Sequence, residues 1–131
     1  MGEKTLRMRI DDHRQLHVFR VARDTAMRLY ELSRVFPREE QYSLTSQMRR
    51  CSRSVCANIA EAWQKRRYPQ AFTSKLTDAA AEADETRCWI DFAVRCAFLD
   101  DAVAVPLDHA CEEVVRMLVS MANHPGSWKT R

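Results

Sequence analysis

The sequence predicts an all-α protein, an antiparallel up-down-up-down four-helix bundle, on three observations. Apolar residues recur at steps of three and four through four long segments. Only 2 Gly and 4 Pro interrupt 131 residues, too few for the many tight turns of a β-rich chain. The segments are joined by only a few residues, and helices so connected stack as antiparallel neighbours. Residues 1–131 have the length of one domain. Such a domain buries enough surface to fold without a metal or a disulfide.

The first helix is expected over 16–36, with Val18, Phe19, Ala22, Ala26, Leu29, Ser33 and Phe36 on one face. Pro37 stops it, because proline lacks the N–H and restricts the residue before it. The second is expected over 43–67 on the stripe Leu44, Met48, Cys51, Val55, Ile59 and Ala62. Its opposite face is basic at the start and small along the middle.

The third helix is expected over 70–98, with Pro69 suited to its first turn. Its core stripe is Phe72, Leu76, Ala79, Ala83, Ile90, Val94 and Ala97, with Thr86 among them. Cys88, Trp89, Phe92 and Cys96 lie away from that stripe, and a helix apolar on two sides must bury both. The second side meets either another subunit or a neighbouring helix of the same bundle. The last helix is expected over 105–122, following Asp100, Asp101 and Pro106, with Leu107, Cys111, Val114, Leu118 and Met121 inward. His124, Pro125 and Gly126 end it, and the tail to Arg131 is expected to be mobile.

Chemistry is sparse. The five cysteines are an odd number with no Cys-x-x-Cys pair, and read as small buried hydrophobes in a reducing compartment. His13 and His17 have a metal-ligand spacing without a third ligand, and the Glu-x-x-His motif of di-iron bundles does not occur. No metal or cofactor is therefore expected. Two glycines leave no phosphate-cradling loop. Asp84 and Glu85 with Asp91, or Glu112 with Glu113, lack any context that would tune them as catalytic acids. No apolar run reaches the ~18 residues of a membrane span, and the charged start Met1 to Asp12 lacks a signal core, so a cytoplasmic location is expected.

Charge is unevenly placed. Residues 1–67 hold 15 Lys and Arg against 8 Asp and Glu, whereas residues 68–131 hold 6 against 10. This suits anionic partners, head-to-tail self-association, or both. The candidate binding set is Arg49, Arg50 and Arg53, then Lys65, Arg66 and Arg67, extended from the first helix by Arg20 and Arg23. Arginine donates two parallel hydrogen bonds to a phosphate. Trp63 and Tyr68 stand beside the second cluster, where an aromatic ring could stack on an unpaired base. A basic face paired with the acids of a neighbouring subunit accounts equally well for these residues.

The run Phe36-Pro37-Arg38-Glu39-Glu40-Gln41-Tyr42-Ser43-Leu44-Thr45-Ser46-Gln47-Met48-Arg49-Arg50-Cys51, followed by Ser54-Val55-Cys56-Ala57-Asn58-Ile59-Ala60-Glu61-Ala62, resembles the 23S rRNA intervening-sequence proteins. Ala62 stands where that family usually has Gly. The resemblance implies a cytosolic bacterial four-helix bundle that assembles as a homopentameric ring. It also implies relatives that serve as accessory subunits of diversity-generating retroelements, where they bind RNA or DNA and a reverse transcriptase. No enzymatic activity is implied. In such a ring Trp89, Phe92 and Cys96 would meet the next subunit, and Asn58 and Glu61 would be structural, hydrogen-bonding a neighbouring helix end.

Overall fold

A computed structural model describes residues 9–128 of the chain. Its four long helices are α1 (His17–Ser33), α2 (Leu44–Gln64), α3 (Pro69–Arg95) and α4 (Asp101–Asn123). Short 3-10 turns at His13–Gln15, Arg38–Glu40 and Pro125–Ser127 flank them. Each helix packs on the next, and α1 closes the ring against α4. The cross-helix pairs give the direction. Arg50 reaches Glu82 and Glu85 at 3.2 and 2.6 Å, while Glu61, a long way further along α2, meets Lys75 near the start of α3 at 2.8 Å. Arg87 likewise meets Asp108 at 2.9 Å, and Thr73 reaches the carbonyl of Ala122 at 3.5 Å. Consecutive helices thus run antiparallel, in the up-down-up-down arrangement.

The expected core faces of α1, α2 and α4 are buried throughout. Two apolar clusters fill the bundle. One gathers Phe19, Ile59, Phe72 and Leu118 with their neighbours; the other gathers Leu29, Met48, Ile90 and Leu107. Between them lies a layer of hydroxyls. Thr25, Ser52 and Thr86 each donate to a carbonyl of the preceding turn, at 2.8, 3.3 and 2.8 Å, so burial leaves them satisfied. The cavity at this waist is about 10 Å³, room for a single water and not for a ligand. Ala62, fully buried, is accommodated with its methyl.

Besides the end of α3, which falls at Arg95 rather than Phe98, three helix boundaries differ from expectation. α1 ends at Ser33, and Phe36 is buried from the turn that follows rather than from the helix. α2 stops at Gln64, which leaves Lys65, Arg66 and Arg67 in the α2–α3 turn. α4 starts at Asp101, four residues early, with Pro106 inside it. A proline so near the start removes a single helical hydrogen bond, the one owed to Ala102, and the turn tolerates it. The last tail is partly ordered: Trp128 packs edge-on against Trp63, with ring centroids 6.5 Å apart. Residues 129–131, part of the tail expected to be mobile, lie outside the described residues.

The end of α3 also departs from the simple stripe. Ala93 is buried where Val94 and Ala97 were expected, Val94 is half-buried and Ala97 is exposed. The cause is a C-terminal cap in which the Phe98 N–H reaches Ala93 O at 2.8 Å and the Ala97 N–H reaches Val94 O at 2.9 Å. This double bond pattern turns the chain and sends Leu99 back into the core. It puts Ala97 at φ 63°, a left-handed conformation in which a side chain costs roughly 1 kcal/mol relative to glycine. Ala97→Gly is therefore expected to stabilise the protein by about 1 kcal/mol in urea unfolding. A loss of stability would mean that the turn is not held as described.

Candidate nucleic-acid interface

The basic residues divide into groups with different surroundings. Arg49 and Arg53, one turn apart on α2, both lie over the ring of Tyr30 on α1, at 4.8 and 5.6 Å from its centroid. The ring's negative face attracts each guanidinium. Arg49 is half-buried and donates from Nε to the Ser33 hydroxyl at 2.8 Å. Neither has an ion-pair partner among the described residues. Arg23 lies further along the same α1–α2 seam, close enough to Cys56 for its charge to act on that thiol. Its own guanidinium is engaged with Asp24 at 3.1 Å. Arg38, exposed in the turn before α2, also lacks an ion-pair partner among the described residues.

The other candidates are occupied or distant. Arg50 points to the α2–α3 side, where Glu82 and Glu85 hold it, and its pKa is raised by those bonds. Glu85 also accepts the Trp89 indole N–H at 3.0 Å, and that bond with Arg50 keeps its carboxyl below the ordinary range. Arg20 donates to the carbonyl of Arg14 at the opposite end of α1. Lys65 begins the second cluster sixteen positions after Arg49, about 24 Å away along α2. There Arg66 lies 3.9 Å over Trp63 and donates to that residue's carbonyl at 2.6 Å. Trp63 is itself buried between Arg66 and Trp128, so it cannot receive a base; Tyr68 is exposed and can. The single basic face expected from sequence is thus two patches, with Arg50 belonging to neither.

The remaining candidates separate as well. Cys88, Phe92 and Cys96 are exposed on α3, and Trp89 is half-buried with its ring 5.7 Å from that of Phe92. Trp89 packs partly against the core cluster of Leu29 and Met48, whereas Cys88, Phe92 and Cys96 stay exposed. Cys51 and Cys111 are buried, and burial pushes their thiols up to about 11 and 12, so both stay protonated and unreactive at neutral pH. The exposed pair departs from the reading of every cysteine as a buried hydrophobe. Asn58 hydrogen-bonds the Ser54 carbonyl of its own helix at 2.9 Å rather than a neighbouring helix end. Glu61 does bridge helices, through Lys75.

Asp84 and Glu112 both contact Arg87, at 3.3 and 3.8 Å, and so act as ion-pair partners. With Asp91, Asp101 and Asp108 they make the α3–α4 side acidic. His13 lies edge-on to Phe19, and His17 is 3.6 Å from Glu113. Among the described residues no cluster of three or more His, Cys, Asp or Glu could hold a metal. No described helix is long and apolar enough to cross a membrane.

Arg34 and Arg38 were not among the binding candidates, though they stand at the same end of the seam as Arg49. Periodicity places Arg34 on the outer face of the first helix but does not bring it to Arg49, because Arg38 and the path between the helices belong to a turn that the core decides.

A comparison with solved structures finds a protein of unknown function from the S23 ribosomal protein family of Bacteroides thetaiotaomicron VPI-5482. It is 25% identical with a TM-score of 0.73, over 81% of this chain and 95% of the other. No match is found among curated proteins. The family model for the 23S rRNA-intervening sequence protein matches residues 14–120, a span from the turn before α1 almost to the end of α4. The chain belongs to the 23S rRNA-intervening sequence protein family.

Proposed function

We propose that this protein is a non-enzymatic, cytoplasmic, self-associating bundle whose α1–α2 seam binds the phosphate backbone of RNA or DNA. The observation that carries the reading is the convergence of Arg49 and Arg53 on one tyrosine ring, with no carboxylate in ion-pair range among the described residues. Two like charges held together repel one another, and an anion laid between them relieves that repulsion. Arg50, the neighbour that does find acids, supports the reading by contrast. The contacts are to phosphates, so the binding has little sequence preference.

Self-association rests on the exposed α3 face of Cys88, Trp89, Phe92 and Cys96, and the family resemblance favours a pentameric ring. Five copies of the seam would let individually weak contacts act together. A reverse transcriptase is a further partner by the same resemblance. A second reading has support of its own: Asp101 forms no ion pair among the described residues and lines a cleft of about 230 Å³ with Asp91 and Asp108. The basic seam of one copy could dock on that acidic side of the next, which would make the protein a scaffold without a nucleic-acid ligand.

Fluorescence polarisation with labelled RNA and DNA, on protein sized by light scattering, separates the two. Binding by the assembled protein that weakens steeply as salt rises supports the backbone-binding reading. Absence of binding at low salt by a well-assembled protein supports the scaffold.

A further inference from the structure

The turn between α1 and α2 frames a cleft of about 270 Å³ lined by Ser33, Arg34, Phe36, Arg38, Thr45 and Arg49. Three of these are arginines and none is an acid. The Thr45 side chain is the unusual member. The residue is only 6% exposed, and its hydroxyl is a buried side-chain oxygen with no hydrogen-bond partner among the described residues. A hydroxyl left so is unfavourable in the free protein.

We propose that this cleft is a phosphate-binding site, with Arg34, Arg38 and Arg49 holding the anion and the Thr45 hydroxyl donating to it. The site rests on the backbone-binding reading above and names where one phosphate of the strand sits. Arg49 spends only its Nε proton on Ser33, so its four Nη protons remain for a ligand. Arg34 is held loosely, 3.5 Å from Glu31. Thr45 is the second residue of α2, and the backbone N–H groups of that first turn have no acceptor within the helix. They add a partial positive charge at the cleft floor. Glu40 already takes the Leu44 N–H at 3.3 Å and the Ser43 hydroxyl at 2.6 Å, and it stands outside the lining. The cleft is smaller than the ~300 Å³ at which pockets begin to enclose whole drug-sized ligands. It therefore suits a phosphate group with what it is attached to left outside.

The test uses the full chain and two probes, inorganic phosphate and a short single-stranded RNA, with the variants T45V and R38Q. Valine keeps the shape of threonine and removes the hydroxyl. T45V is expected to melt higher than the wild type in phosphate-free buffer and to lose the stabilisation that phosphate gives the wild type. R38Q changes an exposed side chain, so it should melt as the wild type does and bind phosphate about tenfold more weakly. Phosphate protection of the wild type that both variants lose supports the site. If RNA nevertheless fails to bind, the site stands as one for free phosphate and the backbone-binding reading falls. If phosphate gives no protection and RNA binds wild type and T45V equally, the site is overturned and the wider reading survives.

Discussion

Phe72→Ala is expected to destabilise the protein by about 4 kcal/mol, the usual cost of removing a fully enclosed phenyl ring. Phe72 is 0% exposed and stands where α3 meets the cluster shared by all four helices. Total stabilities of such domains are about 5–15 kcal/mol, so the variant would be partly unfolded at moderate temperature. Urea unfolding measures the change directly. Thr77→Ala on the other side of the same helix is the control: its side chain is exposed, and it should cost less than about 0.5 kcal/mol. Equal effects at both positions would mean that α3 does not face the core as described.

If the outer face of α3 carries the proposed self-association, Phe92→Glu is expected to dissociate the assembly while leaving each chain folded. The ring packs against Trp89 on the outer face of α3, and a buried unpaired carboxylate is strongly unfavourable at a subunit contact. Light scattering should then report the 15.3 kDa of one chain, with the circular dichroism of a helical bundle intact. Affinity for RNA should fall about a hundredfold or more, because linked weak sites lose their effective concentration when separated. A variant that keeps its assembled mass would move the subunit contact away from this face.

The helical stripes were legible because the bundle interior repeats with the helix. Leu44, Met48, Cys51, Val55, Ile59 and Ala62 share one side of α2, and all six are buried. Periodicity failed where caps and turns override it. The left-handed Ala97 breaks the α3 stripe without a glycine to announce it. Pro106 looked like a boundary and is a second-turn residue. The basic set was identified by composition, but composition cannot say toward which neighbour a long side chain turns. Arg49 and Arg50 are adjacent in sequence and separated by 100° around the helix, so one meets Tyr30 and the other Glu85. Trp63 illustrates the same gap, since only the returning tail with Trp128 reveals that its ring is covered. Thr45 was legible as a helix-start residue, whereas its unpartnered hydroxyl could be known only from the packing around it.

If arginines of the α1–α2 seam contact phosphates, as proposed, removing them changes the salt dependence of RNA affinity. The measurement compares the wild type with the triple variant R38Q/R49Q/R53Q, both confirmed as folded and assembled. A single-stranded contact contributes about 0.7 to the slope of log affinity against log salt. The slope is expected to be shallower by about 2 for each subunit that engages the strand, with weaker binding at low salt. An unchanged slope and affinity in the folded, assembled variant would contradict the proposal.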